Sequence, residues 1–250
     1  VSARTFLGLS FDNEADAYTR NAMASTPDMT SNRHQGAGDP APIVYVVDDD
    51  ETLRRALSAL LRSAGFRVET FASSRAFLAF ERPDVPSCLI LDVRLADESG
   101  LAVQEEAVRA GMNVPILFMT GYGDVATTVK AMKGGALDFL TKPFDDDTML
   151  DAVGRALASD GERLARERAL DAVRQAYASL TPREREVMSQ VIAGLMNKQI
   201  AANLGLQEIT VKVHRAQVMK KMQVRTLPDL VRQAEALGVR PAGAGGRAGD

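Results

Sequence analysis

A chain of 250 residues, 46% hydrophobic, is long enough to bury two cores of unequal size. No apolar run approaches the roughly 18 residues of a bilayer-spanning helix, so no membrane contact is expected. The lone Cys88 excludes an intramolecular disulfide and fits a reducing, cytoplasmic setting.

The net charge of −3 hides a division. Residues 41–160 carry 12 basic and 19 acidic side chains, net −7, whereas residues 161–250 carry 15 and 9, net +6. An acidic module precedes a basic one, and only the second suits a polyanion.

Residues 1–40 are rich in Ser, Asn, Asp, Ala and Gly, with little periodicity and no basic start or apolar stretch of a secretion signal. They are expected to form a disordered extension. A misplaced translation start is an alternative, since Met23 and Met29 lie downstream. The first strand is Ile43–Val47, ending in Asp48-Asp49-Asp50. A helix from Glu51 to Ala64 follows, with Leu53, Leu57, Leu60 and Leu61 at helical spacing and Gly65 as its stop. A strand at 67–71 and a helix at 74–80 come next.

The run Cys88-Leu89-Ile90-Leu91 then closes on Asp92, the pattern of a buried parallel strand delivering one charge to the sheet edge. A helix at 101–110, a strand at 115–119 ending in Thr120-Gly121, and a helix at 124–132 continue the alternation. Gly134-Gly135 breaks the chain before Leu137–Leu140, which leads into Thr141-Lys142-Pro143. Right-handed crossovers make this a doubly wound α/β fold with a five-stranded parallel sheet. All strand ends then point one way, bringing the acidic cluster, Asp92, Thr120 and Lys142 into one crevice.

That constellation has a chemical reading. Packed carboxylates repel and are held together at neutral pH by a hard divalent cation such as Mg2+. Beside such a cation, a Lys and a hydroxyl, a carboxylate can attack phosphorus and become an aspartyl phosphate. A phosphatase reading also exists, because Val47–Thr52 fits the D-x-D-x-T motif of haloacid-dehalogenase-like enzymes. It leaves Asp92 and the basic half unexplained, so a non-enzymatic protein is expected.

The segments V-V-D-D-D-E, L-I-L-D-V-R-L-A-D-E-S-G, I-L-F-M-T-G-Y-G-D and A-L-D-F-L-T-K-P-F resemble the flavodoxin-like receiver domain of two-component response regulators. The resemblance implies that Asp92 is the phosphoacceptor. It implies that Asp48, Asp49, Asp92 and the backbone carbonyl of Arg94 hold Mg2+, and that Thr120 is the switch hydroxyl. Lys142 would pair with the phosphate, Lys142–Pro143 would be cis, and Phe139 would be the switch aromatic. Ala96 and Glu98 depart from the Pro and Met that relatives usually carry after the phosphoacceptor, which leaves the loop less pre-set.

Asp145, Asp146 and Asp147 crowd the start of the last receiver helix, where the dipole favours negative charge. That helix can run to Ser179, roughly 50 Å at 1.5 Å per residue. Leu150, Val153, Leu157 and Leu164 give it a partial heptad stripe, too short for a coiled coil. The expected organisation is a receiver at 41–160, a helical linker at 161–179, a small all-α domain at 180–238 and a disordered tail at 239–250.

In that small domain Thr181 is a ready N-cap, Pro182 suits the first helical position and Glu184 completes a capping box. Helices at 197–203 and 208–222 around Leu204-Gly205-Leu206 make a helix-turn-helix. With N-K-Q-I-A and T-V-K-V-H-R, the segment from Leu180 to about Leu237 resembles the LuxR-type DNA-binding domain. On the second helix Val211, Val218 and Met222 fall toward the core. Lys212, Val213, Ala216, Gln217 and Lys220 face a major groove, with Val213 and Ala216 suited to thymine methyls and Lys212 to guanine acceptors. Lys198, Lys220 and Lys221 are placed on phosphates. Thr210, His214 and Arg215 complete the expected DNA-contact set, the last two more suited to phosphates than to bases.

Together the halves resemble the FixJ/NarL class, and most of all the FixJ branch, through T-G-Y-G-D, A-M-K-G-G-A-L-D-F and D-F-L-T-K-P-F. The resemblance implies a transcriptional regulator phosphorylated by a sensor histidine kinase. It also implies a homodimer on phosphorylation, formed through the 124–132 helix and the last strand, that grips promoter DNA at half-sites one turn apart. RNA polymerase is a further candidate partner.

Overall fold

The computed structural model describes residues 41–96, 98–121 and 125–242. The expected extension at 1–40, the end of the tail at 243–250 and residues 97 and 122–124 lie outside them. Five parallel strands, β1 (Ile43–Val47), β2 (Arg67–Phe71), β3 (Ser87–Asp92), β4 (Ile116–Thr120) and β5 (Asp138–Thr141), form one sheet in the order β2-β1-β3-β4-β5. Every residue of β1, β3 and β4 is buried, because helices cover both faces of the sheet.

One face, with Val44, Val46, Cys88, Ile90, Leu117 and Met119, lies under α1 (Glu51–Ser63) and α5 (Asp146–Ala178). The other, with Tyr45, Leu89, Leu91 and Phe118, packs with residues of α2 (Ser74–Leu78), α3 (Gly100–Arg109) and α4 (Val125–Lys133). Burial pushes the Cys88 thiol up to about 12, as befits an inert core residue. Because β2 and β3 flank β1 on opposite sides, the strand order reverses at β1, which opens a crevice at the carboxyl edge between β1 and β3. The helix expected at 74–80 stops at Leu78, where Phe80 N–H turns back to Phe77 O at 3.1 Å.

Asp145 caps α5, accepting from Thr148 N–H at 2.7 Å and from its hydroxyl at 2.8 Å. The apolar stripe on α5 belongs to the receiver itself: Val153 and Leu157 are in the core, with Leu150 packed against it. Further along, the buried Asp160 accepts from Ser87 N–H at 2.8 Å and pairs with Arg163 at 2.9 Å. Arg168 reaches the Asp84 carbonyl at 2.6 Å and its carboxylate at 3.0 Å. From Val173 onward the same helix packs on the C-terminal core.

That core joins α6 (Pro182–Ile192), α7 (Asn197–Leu204), α8 (Glu208–Lys221) and α9 (Leu227–Ala236) around Val187, Met188, Ile200, Val211, Val218 and Leu230. The capping box is present: Thr181 N–H donates to Glu184 Oε2 at 2.8 Å, and Glu184 N–H to Thr181 Oγ1 at 3.2 Å. Gly205 turns the chain between α7 and α8 at φ +64, in the left-handed region that favours glycine. Of the tail, Val239 packs on the core and Ala242 N–H donates to Ser189 O at 2.9 Å.

Candidate functional site

Asp48 follows β1 and is 1% exposed. Its Oδ1 accepts from Asp50 N–H at 2.8 Å. Asp92 ends β3, and its Oδ1 accepts from Arg94 N–H at 2.9 Å. Lys142 Nζ spans the two, 2.5 Å from Asp92 Oδ2 and 3.1 Å from Asp48 Oδ2. The Lys142 backbone is tied to the end of β4, its N–H donating to Thr120 O at 2.7 Å. The Lys142–Pro143 bond is cis. Thr120, buried at the end of β4, therefore joins the crevice from the strand next to Asp92.

Burial pushes the Asp48 carboxyl above its ordinary value, against the pull of Asp50 N–H and Lys142. Burial lowers Lys142, but the hydrogen bonds its ammonium donates to Asp92 and Asp48 outweigh it and raise the ammonium overall. Lys142 therefore stays charged at neutral pH. Asp49 is exposed, and among the described residues no three of His, Cys, Asp and Glu converge on a ready metal site. What the fold brings together is Asp48 and Asp92, an all-oxygen pair with Asp49 next in sequence, which fits a hard cation. The Asp50 carboxylate is engaged elsewhere, capping α1 by accepting from Thr52 N–H at 2.8 Å. That occupies the second Asp of the phosphatase-like motif.

Gly100 closes the motif around Asp92, where the sequence reading assigns it no role of its own. A Cβ there would run into the Asp92 carbonyl oxygen, so only glycine lets α3 begin against the end of β3. The loop between them holds without the missing Pro, because Leu95 N–H donates to Glu98 O at 3.1 Å and Gly100 N–H to Val93 O at 2.8 Å. Phe139 is half-buried on β5, its ring 6.4 Å from that of Phe118.

On α8, Val211, Val218 and Met222, which caps the helix, are buried in the core, and Lys212, Val213, Ala216, Gln217 and Lys220 are exposed. Lys198 is exposed on α7, whereas Thr210, His214 and Arg215 are half-buried. Arg215 donates to Asn197 Oδ1 at 3.3 Å. The Lys221 ammonium donates to Glu184 Oε2 at 2.6 Å and Ser179 O at 3.3 Å, tying α8 to the capping box. The sequence pattern left Ile209 out of the contact set, although it is 63% exposed in the first turn of α8. Its angular position, four residues before Val213, was the available signal.

Residues 44–154 match the family described as Response regulator receiver domain, and residues 178–234 match Bacterial regulatory proteins, luxR family. Nodulation protein W of Bradyrhizobium diazoefficiens is 52% identical over 197 residues, 79% of this chain and 87% of the relative. FixJ of Rhizobium meliloti is 42% identical over 203 residues, 80% of this chain and 98% of the relative. The solved structure of the response regulator StyR superposes with a TM-score of 0.73 at 46% identity, covering 78% of this chain and 99% of that one. The chain belongs to the two-component response regulators.

This response regulator joins a receiver to a LuxR-type helix-turn-helix domain and acts in transcription. Receiver domains imply a histidine kinase partner and generally bind Mg2+, and LuxR-type domains imply DNA binding. Among the described residues no helix is long and apolar enough to cross a membrane.

Proposed function

We propose that Asp92 is the phosphoacceptor of this regulator and that α8 carries the signal to promoter DNA. The single observation behind the first part is the Lys142 ammonium shared between Asp92 and Asp48 at 2.5 and 3.1 Å. An Asp92 oxygen attacks the phosphorus of a kinase phosphohistidine. The new P–O bond forms as the P–N bond breaks, and the imidazole nitrogen leaves with the electron pair. Lys142 offsets charge on the transferred group. Asp48, Asp49, Asp92 and the Arg94 carbonyl would hold Mg2+, whose charge supplies further stabilisation when bound.

Phosphorylation draws Thr120 inward, and Phe139 follows toward the space it leaves. The readout is dimerisation through α4 and β5. Val125, Val129 and Met132 stand exposed at i, i+4 and i+7 of α4, and Leu137 is exposed before β5. In this reading the receiver spans 41–160, the linker 161–179 and the DNA-binding domain 180–238. The protein works in the cytoplasm, and the promoter-bound dimer meets RNA polymerase.

The DNA contacts are Lys212, Val213, Ala216, Gln217 and Lys220, with Thr210, His214, Arg215 and Lys198 around them. Lys221 is left out because its ammonium is engaged internally. Acetyl phosphate with Mg2+ is expected to add one phosphoryl group at Asp92, located by mass spectrometry, and to double the sedimenting mass at micromolar protein. Label on another residue overturns the assignment, and an unchanged mass overturns the dimer.

A further inference from the structure

The C-terminal half holds an apolar stripe that its own core does not use. Ile209 is 63% exposed and Val213 54% exposed, and Ala216 is exposed beside them. At 100° per residue the three fall within about 60° of one another on α8, roughly opposite Val211, Val218 and Met222. Lys220 continues the stripe one turn on, and Lys212 and Gln217 border it.

Leaving a branched aliphatic side chain in water forfeits burial energy, and a recognition helix usually spends its outward positions on polar groups. The cations around the stripe select a polyanionic partner. In the major groove of such a partner one apolar feature is offered to a protein, the C5 methyl of thymine. At its centre the stripe carries no polar side chain to fork onto a purine edge or accept from cytosine, Lys212, Gln217 and Lys220 standing at its margins. Its central contacts are therefore dispersive, and Ile209, longer than valine, reaches from the first turn of α8.

We propose that Ile209 is a specificity-determining residue, which together with Val213 reads thymine methyl groups in each half-site. This rests on the assignment of α8 as the DNA-reading helix. Full-length protein treated with acetyl phosphate is used to select duplexes from a random pool. Each thymine of the selected site is then replaced in turn by uracil, which lacks the methyl group alone, and affinity is measured by fluorescence anisotropy.

At two or more thymines per half-site the replacement is expected to weaken binding roughly fourfold. Ile209→Ala should abolish the penalty at one of those thymines and Val213→Ala at another, while thermal melts show both variants folded. Uracil tolerated everywhere within about twofold, or a penalty that survives in both variants, overturns the inference and leaves DNA reading by α8 intact. If no sequence is enriched and no duplex binds in a salt-sensitive manner, the assignment of α8 fails and takes the inference with it.

Discussion

The receiver withdraws Asp48 and Asp92 from water, the first to 1% exposure, and half-buries Lys142 between them, whereas the DNA-binding half leaves Ile209 in water at 63%. Each half thereby breaks the ordinary preference for charges outside and aliphatics inside. Phosphoryl transfer needs charges held in a desolvated crevice, where they act strongly and are already oriented. Reading a groove needs a surface complementary to something absent from the chain. On the proposed reading, the exceptions mark where each half works.

The sharpest way to break this contrast lies at Gly100. Gly100→Ala drives a Cβ into the Asp92 carbonyl and is expected to cost the receiver about 1–3 kcal/mol and to slow acetyl phosphate labelling. Denaturant melts and labelling rates test both, and the C-terminal half should melt as before.

A buried carboxylate outside the crevice provides the control. Asp160→Ala leaves the Ser87 N–H without its acceptor and is expected to cost about 1–3 kcal/mol in urea unfolding, with labelling of Asp92 retained. Asp160→Asn keeps an acceptor and should recover part of the loss.

The matching group in the other half is Glu184. The Lys221 hydrogen bond, ahead of those from Thr181, holds its carboxyl below the ordinary glutamate value. A lowered folded pKa gives stability that is present above the unfolded value and is lost as pH falls toward the folded one. The C-terminal half should therefore melt more easily below about pH 4.3. Glu184→Gln should cost about 1 kcal/mol at neutral pH and lack that part of the acid slope.

The smallest effect concerns charge alone. Lys220→Ala should weaken binding evenly across DNA sequences and lower the salt slope of log K by about 0.9, with no change in uracil discrimination.

Much of this was legible in the chain. The three central strands of the receiver, β1, β3 and β4, are apolar runs ending in polar groups, so their type, direction and shared edge followed from pattern, as did the Thr181–Glu184 box. What escaped depended on contacts between distant segments. Asp160 reads as a solvated helix charge until β3 is placed beside it. Gly100 reads as a helix start until the Asp92 carbonyl is found against it. The Lys221–Glu184 pair could not be read, because nothing in the neighbourhood of Lys221 in sequence reveals Glu184, 37 positions earlier. Asp49 resembles Asp48, yet Asp48 is buried and Asp49 stays in water.

One helix, α5, starts at the capped Asp146 and ends at Ala178, after Val173, Ala176 and Tyr177 have packed on the C-terminal core. Its 33 residues make the spacing between the halves quantised. A single residue inserted between Arg168 and Val173 would advance the DNA-binding half by about 1.5 Å and swing it by about 100° around the axis. An insertion of seven residues would restore the original phase to within about 20°. Sequence length in this short stretch thus works as an angular setting, and related regulators that differ there would present their recognition helices to the duplex along different bearings.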